Sequence, residues 1–252
     1  MKLVPADTFD FEQLAEVFNA GYQGYFVPVH VDAAGLASMV DLWDIDLSRS
    51  RVALRDEQPV GIANLAVRGD RAWIGGIGVA SAERRKGVGR ALMEAVLAEA
   101  PPVVTLEVLE QNEPAIRLYE DLGFTRTRVL EVWSLTADVP AGEARTTEAR
   151  PLDQTGLPWQ RADESLPQGC EFIEVDGAAA LIRVTGPRVA VAQLEARDAD
   201  AAAELLAAAR ARGEALHFMN VPEGDPASVA LHRLGGNLEL RQFEYELNRR
   251  ST

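Results

Sequence analysis

The stretch Arg84-Arg85-Lys86-Gly87-Val88-Gly89-Arg90 puts three consecutive cations and two glycines between a strand-like run and a strong helix pattern. Backbone N–H groups at a helix start lack partners and sit at the positive end of the helix dipole, so glycines that let the backbone close in make such a turn a phosphate cradle. It has no Gly-Lys-Ser/Thr, and Leu92 stands where a dinucleotide fingerprint needs its third glycine, so the ligand is a phosphate carrier of another kind. A solvated basic turn is the competing reading. The preceding run, Ala72 to Ala80, carries Gly75, Gly76 and Gly78. Glycine inside a strand marks a bulge or the close approach of another backbone or a ligand. A splayed strand there would free the amides near Ile77, Gly78 and Val79 for an amide-bearing ligand arm, whereas a twist imposed by packing would not. Further on, Asn112, Ala115 and Tyr119 follow the helical 3-and-4 spacing on one face, with Asn112 as N-cap and Pro114 in the first turn. Small Ala115 leaves room for a ligand along the helix, and Tyr119 alone would read as a packing aromatic.

The elements that must position these groups can be read from periodicity. Asp10 with Gln13 predicts a capping-box helix start, and Leu36, Met39, Val40 and Trp43 a second helix. Runs 51–56, 59–68 and 72–80, separated by turn signals, predict an antiparallel meander. A helix over 88–100, a buried strand over 103–109, a helix over 114–121 stopped by Gly123, and a pair of short strands over 124–135 complete an α+β domain of residues 1–136. Residues 137–150 are small and polar and form the expected linker, and 151–252 a second domain. That domain repeats the later half of the first: strands 178–184 and 188–196, a helix over 200–212, a strand over 215–221, a helix near 227–233 and a strand over 238–247. Pro114 to Phe124 lies over Pro226 to Gly236 without a gap, sharing Pro, Ala, Leu and Gly, and the matching order of elements marks a tandem repeat.

Composition narrows the partners. The chain has 252 residues, 47% hydrophobic and 25% charged, with net charge −14 that divides evenly between residues 1–136 and 137–252. Neither half is suited to holding nucleic acid by its phosphates. No apolar run reaches the roughly 20 residues of a membrane helix, and the amino-terminal stretch lacks a signal-peptide core, so no membrane partner and a cytoplasmic location are expected. One cysteine and three histidines, none paired at ligand spacing, give no metal site.

Arg84-Arg85-Lys86-Gly87-Val88-Gly89, followed by Asn112-x-x-Ala115-x-x-x-Tyr119 and Leu122-Gly123-Phe124, resembles the two signatures of the GNAT superfamily of acetyl-CoA-dependent N-acetyltransferases over residues 1–135. The resemblance implies a GNAT fold, a mixed and mostly antiparallel sheet flanked by helices, and acetyl-CoA as cosubstrate. It implies direct attack of a small-molecule amine on the thioester, with Tyr119 giving a proton to the departing thiolate. Ile77, Gly78 and Val79 would hold the pantetheine arm, Arg84 to Arg90 the pyrophosphate, and Asn112 and Ala115 would line the way. Many members carry a glutamate base on the splayed strand. Here that strand has no carboxylate, so Glu107 on the next strand is the candidate, with a water relay as the alternative. Tyr22, Tyr25, Phe26 and Trp43 are expected around the acceptor, although aromatics at helix junctions are commonly core.

The second copy departs from both signatures. Leu231 stands in the place of Tyr119, and the segment corresponding to the phosphate loop is five residues shorter, without glycine over 195–203. It reads as a smaller, degenerate GNAT-like domain kept for packing, for closing the acceptor pocket or for forming a homodimer. A non-catalytic acyl-CoA-binding module and a protein N-terminal or lysine acetyltransferase are the rival functions.

Overall fold

The computed structural model describes residues 1–140, 142–148, 152 and 155–251, so the start of the expected second domain and part of the expected 137–150 linker lie outside the described residues. Two compact units result. The first comprises residues up to Thr127 and returns from Glu244 onward; the second is Arg128 to Phe243.

In the first unit the order is β1 (Lys2–Pro5), α1 (Phe11–Tyr22), α2 (Ala33–Leu42), β2 (Arg51–Arg55), β3 (Gln58–Arg68), β4 (Arg71–Val79), α3 (Val88–Glu99), β5 (Val103–Leu109) and α4 (Glu113–Asp121). The capping box at Asp10 forms with both of its hydrogen bonds, Gln13 N to Asp10 Oδ1 at 2.8 Å and Asp10 N to Gln13 Oε1 at 3.2 Å. β1 to β4 run antiparallel, pairing Val4 with Val52, Val52 with Ile62 and Gly61 with Val79. β4 and β5 are parallel across the α3 connection. Alternation then sorts the sheet residues. Val52, Leu54 and Ile62 meet Leu14, Val17, Phe18 and Leu36 of α1 and α2. Gly61 meets Leu92 of α3, where an added Cβ would lie 3.1 Å from Leu92 Cδ1.

The second unit holds β7 (Arg145–Thr146), β8 (Glu171–Val175), β9 (Ala178–Thr185), β10 (Arg188–Ala196), α5 (Ala199–Arg210), β11 (Ala215–Pro222) and α6 (Pro226–Arg233). β8, β9 and β10 are antiparallel neighbours, and β10 and β11 are parallel across α5, as β4 and β5 are across α3. The short β7 and β8 were not expected from the sequence. Short 3₁₀ turns, Trp159–Arg161 and Asp163–Ser165, precede β8 where the first copy has α1 and α2 before its meander. The alanines of α5 face inward, Ala202, Leu205 and Leu206 being fully buried.

The units do not follow a linear cut at residue 136. One continuous strand, β6 (Thr125–Leu135), replaces the expected pair of short strands; its first residues lie in the first unit, while Leu130 to Leu135 pair antiparallel with β11 in the second. The last strand, β12 (Asn237–Asn248), crosses the other way, from the second unit to the first at Glu244. Its end is secured there by Thr125 Oγ1 donating to Glu246 O at 3.3 Å, Tyr245 Oη donating to Glu120 at 2.9 Å and Arg249 N donating to Pro102 O at 2.9 Å. The Arg249 guanidinium adds bonds to the carbonyls of Leu97, Ala100 and Pro101. Each copy's last strand therefore begins in its own unit and ends in the other. A linear boundary misses this because strand periodicity shows that a strand exists, not which neighbour it takes.

Candidate functional site

Strand β4 makes the opening. Its parallel ladder with β5 runs from Arg71 opposite Val103 to Trp73 opposite Thr105 and stops, while β4 continues beside β3 to Val79. Opposite Ala63 and Leu65, β4 carries one extra residue between Ile74 and Ile77, with Gly76 at φ +137°. This is the expected bulge, and it turns the strand away from β5. The close approach expected of the glycines is made by the chain's own backbone at Gly78, where an added Cβ would lie 3.0 Å from Gly21 Cα. That contact seats the end of α1 directly on β4.

The splay leads into a cavity of about 400 Å³ walled by Tyr22, Tyr25 and Phe26 after α1, Ile77 and Val79 of β4, Arg84, Arg85 and Gly89 of the loop, and Asn112, Pro114, Ala115, Leu118 and Tyr119 at α4. The Asn112, Ala115, Tyr119 face thus lines one wall, with Asn112 Oδ1 capping α4 through Ala115 N at 3.4 Å. Tyr119 is 4% exposed, and its hydroxyl makes no hydrogen bond among the described residues. Burial drives its pKa well above the usual phenol range, and the neighbouring Tyr22 and Tyr25 add to the rise. Tyr22 is raised likewise, by burial and by Tyr25, against a hydrogen bond from the Ile77 backbone. Tyr25 is raised by burial and held back by its bond to Asn112. The rings form a continuous run, Phe18 to Tyr22 at 4.5 Å, Tyr22 to Tyr25 at 5.1 Å and Tyr25 to Phe26 at 5.3 Å. All three phenols stay protonated well into the alkaline range.

The loop departs from the expected cluster of free cations. Arg84 donates from Nε to Val79 O and from Nη2 to Gly21 O and Gln23 O, each at 2.9 Å, and so ties the end of β4 to the end of α1. Lys86 is paired with Glu83 at 3.0 Å and Arg90 with Asp121 at 2.7 Å, and the Val88 side chain is buried in the core. Arg85 alone of these cations is exposed on the cavity wall with no ion pair or hydrogen bond among the described residues. The backbone carries the feature the sequence could only suggest: Arg85 at φ +62° and Gly87 at φ +81° alternate left-handed residues before α3, and nothing lies within 4 Å of where a Gly87 Cβ would stand. Left-handed residues at such a turn aim successive N–H groups to one side, and the uncapped first turn of α3 adds more.

Glu107 and Trp43, expected at the site, lie off the cavity wall, as do Gly78, Lys86, Gly87, Val88 and Arg90. Glu107 Oε2 accepts from Trp73 Nε1 at 2.6 Å, and Trp43 packs edge-on against Trp73 at 5.6 Å. They belong to one packed group behind β4. Leu118, Gly21 and Gly24 are wall residues that the motifs did not single out; Leu118 follows Ala115 by three residues and could have been read from that spacing.

Comparison with known proteins agrees with this fold. Residues 12–124 match the family model "Acetyltransferase (GNAT) family". Among solved structures, a GCN5-related N-acetyltransferase from Sphaerobacter thermophilus is 15% identical with TM-score 0.67, covering 98% of this chain and 94% of that one. A tandem GNAT protein from the clavulanic acid biosynthesis pathway is 15% identical with TM-score 0.63, covering 98% of both chains. A GCN5-related N-acetyltransferase from Anabaena variabilis is 13% identical with TM-score 0.60, covering 97% of this chain and 72% of that one. No curated protein matches the sequence. No helix among the described residues is long and apolar enough to cross a membrane. The chain shares its fold with these proteins, and its residues 12–124 match the acetyltransferase (GNAT) family model.

Proposed function

We propose that the first unit transfers an acetyl group from acetyl-CoA to the primary amine of a small molecule. The observation that carries the reading is Tyr119: a buried, protonated phenol, without an internal partner among the described residues, on the wall of the cavity at the splay. Although the ring is buried, the hydroxyl oxygen is not sealed from solvent and opens on the cavity, where a ligand can take the place of water. The loop fits a pyrophosphate, since Gly87 leaves open space where a side chain would intrude and the backbone turns its N–H groups to one side. Bound acetyl-CoA would supply the acetyl thioester. The protein's part is then to orient and to manage protons. Arg85 and the amides of residues 86–89 hold the diphosphate; Val79 and the Ile77 carbonyl offer backbone partners along the splay; Tyr119 Oη keeps its proton until charge develops at sulfur and gives it there. The splayed strand has no carboxylate and Glu107 of β5 holds Trp73, so the amine's proton leaves to water.

Tyr119 also separates this reading from a binding module, which needs no proton donor. The test is release of free thiol from acetyl-CoA over a panel of amines. Tyr119→Phe keeps the ring and should lower kcat by about 10²-fold or more, with the KM for acetyl-CoA unchanged. Turnover equal to that of the parent on an accepted amine would make Tyr119 a packing residue.

A further inference from the structure

The second unit has a cavity of its own, about 380 Å³, on the face of α6 that carries Ser228 and His232. Glu131 and Trp133 of β6 form its floor, and Val229 and Leu238 are apolar wall. It is not a remnant of the first unit's wall tyrosine: Leu231, which stands in the place of Tyr119, is fully buried in the core. Glu131 is 6% exposed, although carboxylates are almost never buried without a partner. Its two donors, Trp133 Nε1 at 3.0 Å and Ser228 Oγ at 2.6 Å, both meet Oε2. Both are neutral, so they fix the carboxylate's plane and leave its charge in place. Oε1 accepts from no group among the described residues, and no cation is paired with Glu131 there. Arg233, the one formal cation of the wall, is paired with Asp200 at 2.9 Å.

We propose that this cavity binds a small organic cation, a protonated primary amine with a short apolar body. The ammonium donates to Glu131 Oε1, and the body lies among Trp133, Val229 and Leu238. A charge pair in a sheltered wall is stronger than one in bulk water, and an indole face favours a cation beside it. A neutral alcohol would leave the carboxylate's charge uncompensated, and a carboxylate ligand would be repelled. A metal is a poor fit, because Glu131 and His232 are the only usual ligand types in the wall and no group of three or more exists among the described residues. The inference does not depend on acetyl transfer by the first unit.

The full chain should bind n-butylammonium saturably in calorimetry, and n-butylammonium should raise its melting temperature, whereas n-butanol and butyrate at equal concentration should do neither. Glu131→Gln keeps the shape and an acceptor oxygen for Trp133 and Ser228 while removing the charge, and should weaken binding about tenfold or more, roughly the factor that 1.4 kcal/mol represents. Leu238→Trp, at an exposed rim position, fills the cavity without touching the core and should abolish binding in a protein that melts like the parent. It decides the matter should Glu131→Gln fail to fold. Equal binding of n-butylammonium by either folded variant, an equal response to n-butanol, or no saturable binding by the parent would overturn the proposal.

Discussion

Replacing Gly87 by alanine separates backbone strain from ligand exclusion. Gly87 sits at φ +81°, where an L-residue costs roughly 1–2 kcal/mol, while the stiffer unfolded chain returns about 0.4–1 kcal/mol. The net loss is therefore about 1 kcal/mol, or about 2–4 °C in Tm for a chain of this size. Nothing within 4 Å would touch the new Cβ, so no packing term enters. Gly69, in the β3–β4 turn, is the matched control, at φ +56° with equally open surroundings. Both variants should lose the same few degrees. They should differ when acetyl-CoA is added: at about 100 times its Kd a ligand stabilises by about 2.7 kcal/mol, which Gly69→Ala should retain in full. Gly87→Ala should lose most of it, because the methyl group enters the space assigned to the diphosphate. Thermal melts with and without acetyl-CoA, on all three proteins at one pH, make the measurement. A full ligand shift in Gly87→Ala would refute the loop assignment, whatever its effect on Tm.

Burial raises the pKa of Tyr119, so its acid form persists as pH rises, and kcat against pH should show no decline near pH 10; a falling limb there that disappears in Tyr119→Phe would refute the raised pKa while still marking Tyr119 as the acid. Tyr245→Ala removes a side chain 2% exposed, together with its bond to Glu120, and should cost about 3–5 kcal/mol and weaken acetyl-CoA binding although residue 245 is remote in sequence from the loop; unchanged melting would count against the return of the chain to the first unit. Calorimetry should find one acetyl-CoA per chain, since the second copy has Leu231 for Tyr119 and no glycine loop, and a stoichiometry of two would overturn that reading.

Much of the site was legible in the sequence because it depends on local chemistry. Asn112 as a cap, Ala115 and Tyr119 on its face, and glycines bulging β4 follow from spacing and backbone preference alone. The fate of the charges was not legible. Arg84 in sequence is a cation beside a phosphate loop; in the fold it satisfies three carbonyls at the end of α1 and β4, a demand created only when those ends meet. Glu107 and Trp43 failed as wall residues for the same reason, both being drawn to Trp73, whose indole no motif marks. The short β7 and β8 carried too few residues to show a period.

The crossing of β6 and β12 gives the chain an order of events during synthesis. A ribosome adds roughly 5–20 residues per second, and Glu244 emerges more than a hundred residues after Thr127, so the half that holds Tyr119 waits several seconds for its closing strand. During that wait the edge of β5 is exposed to any other extended segment. Gene truncation before residue 244 would prolong the wait indefinitely, so the second copy cannot simply be deleted. The second copy thereby supplies the segment that ends as the last strand of the first unit.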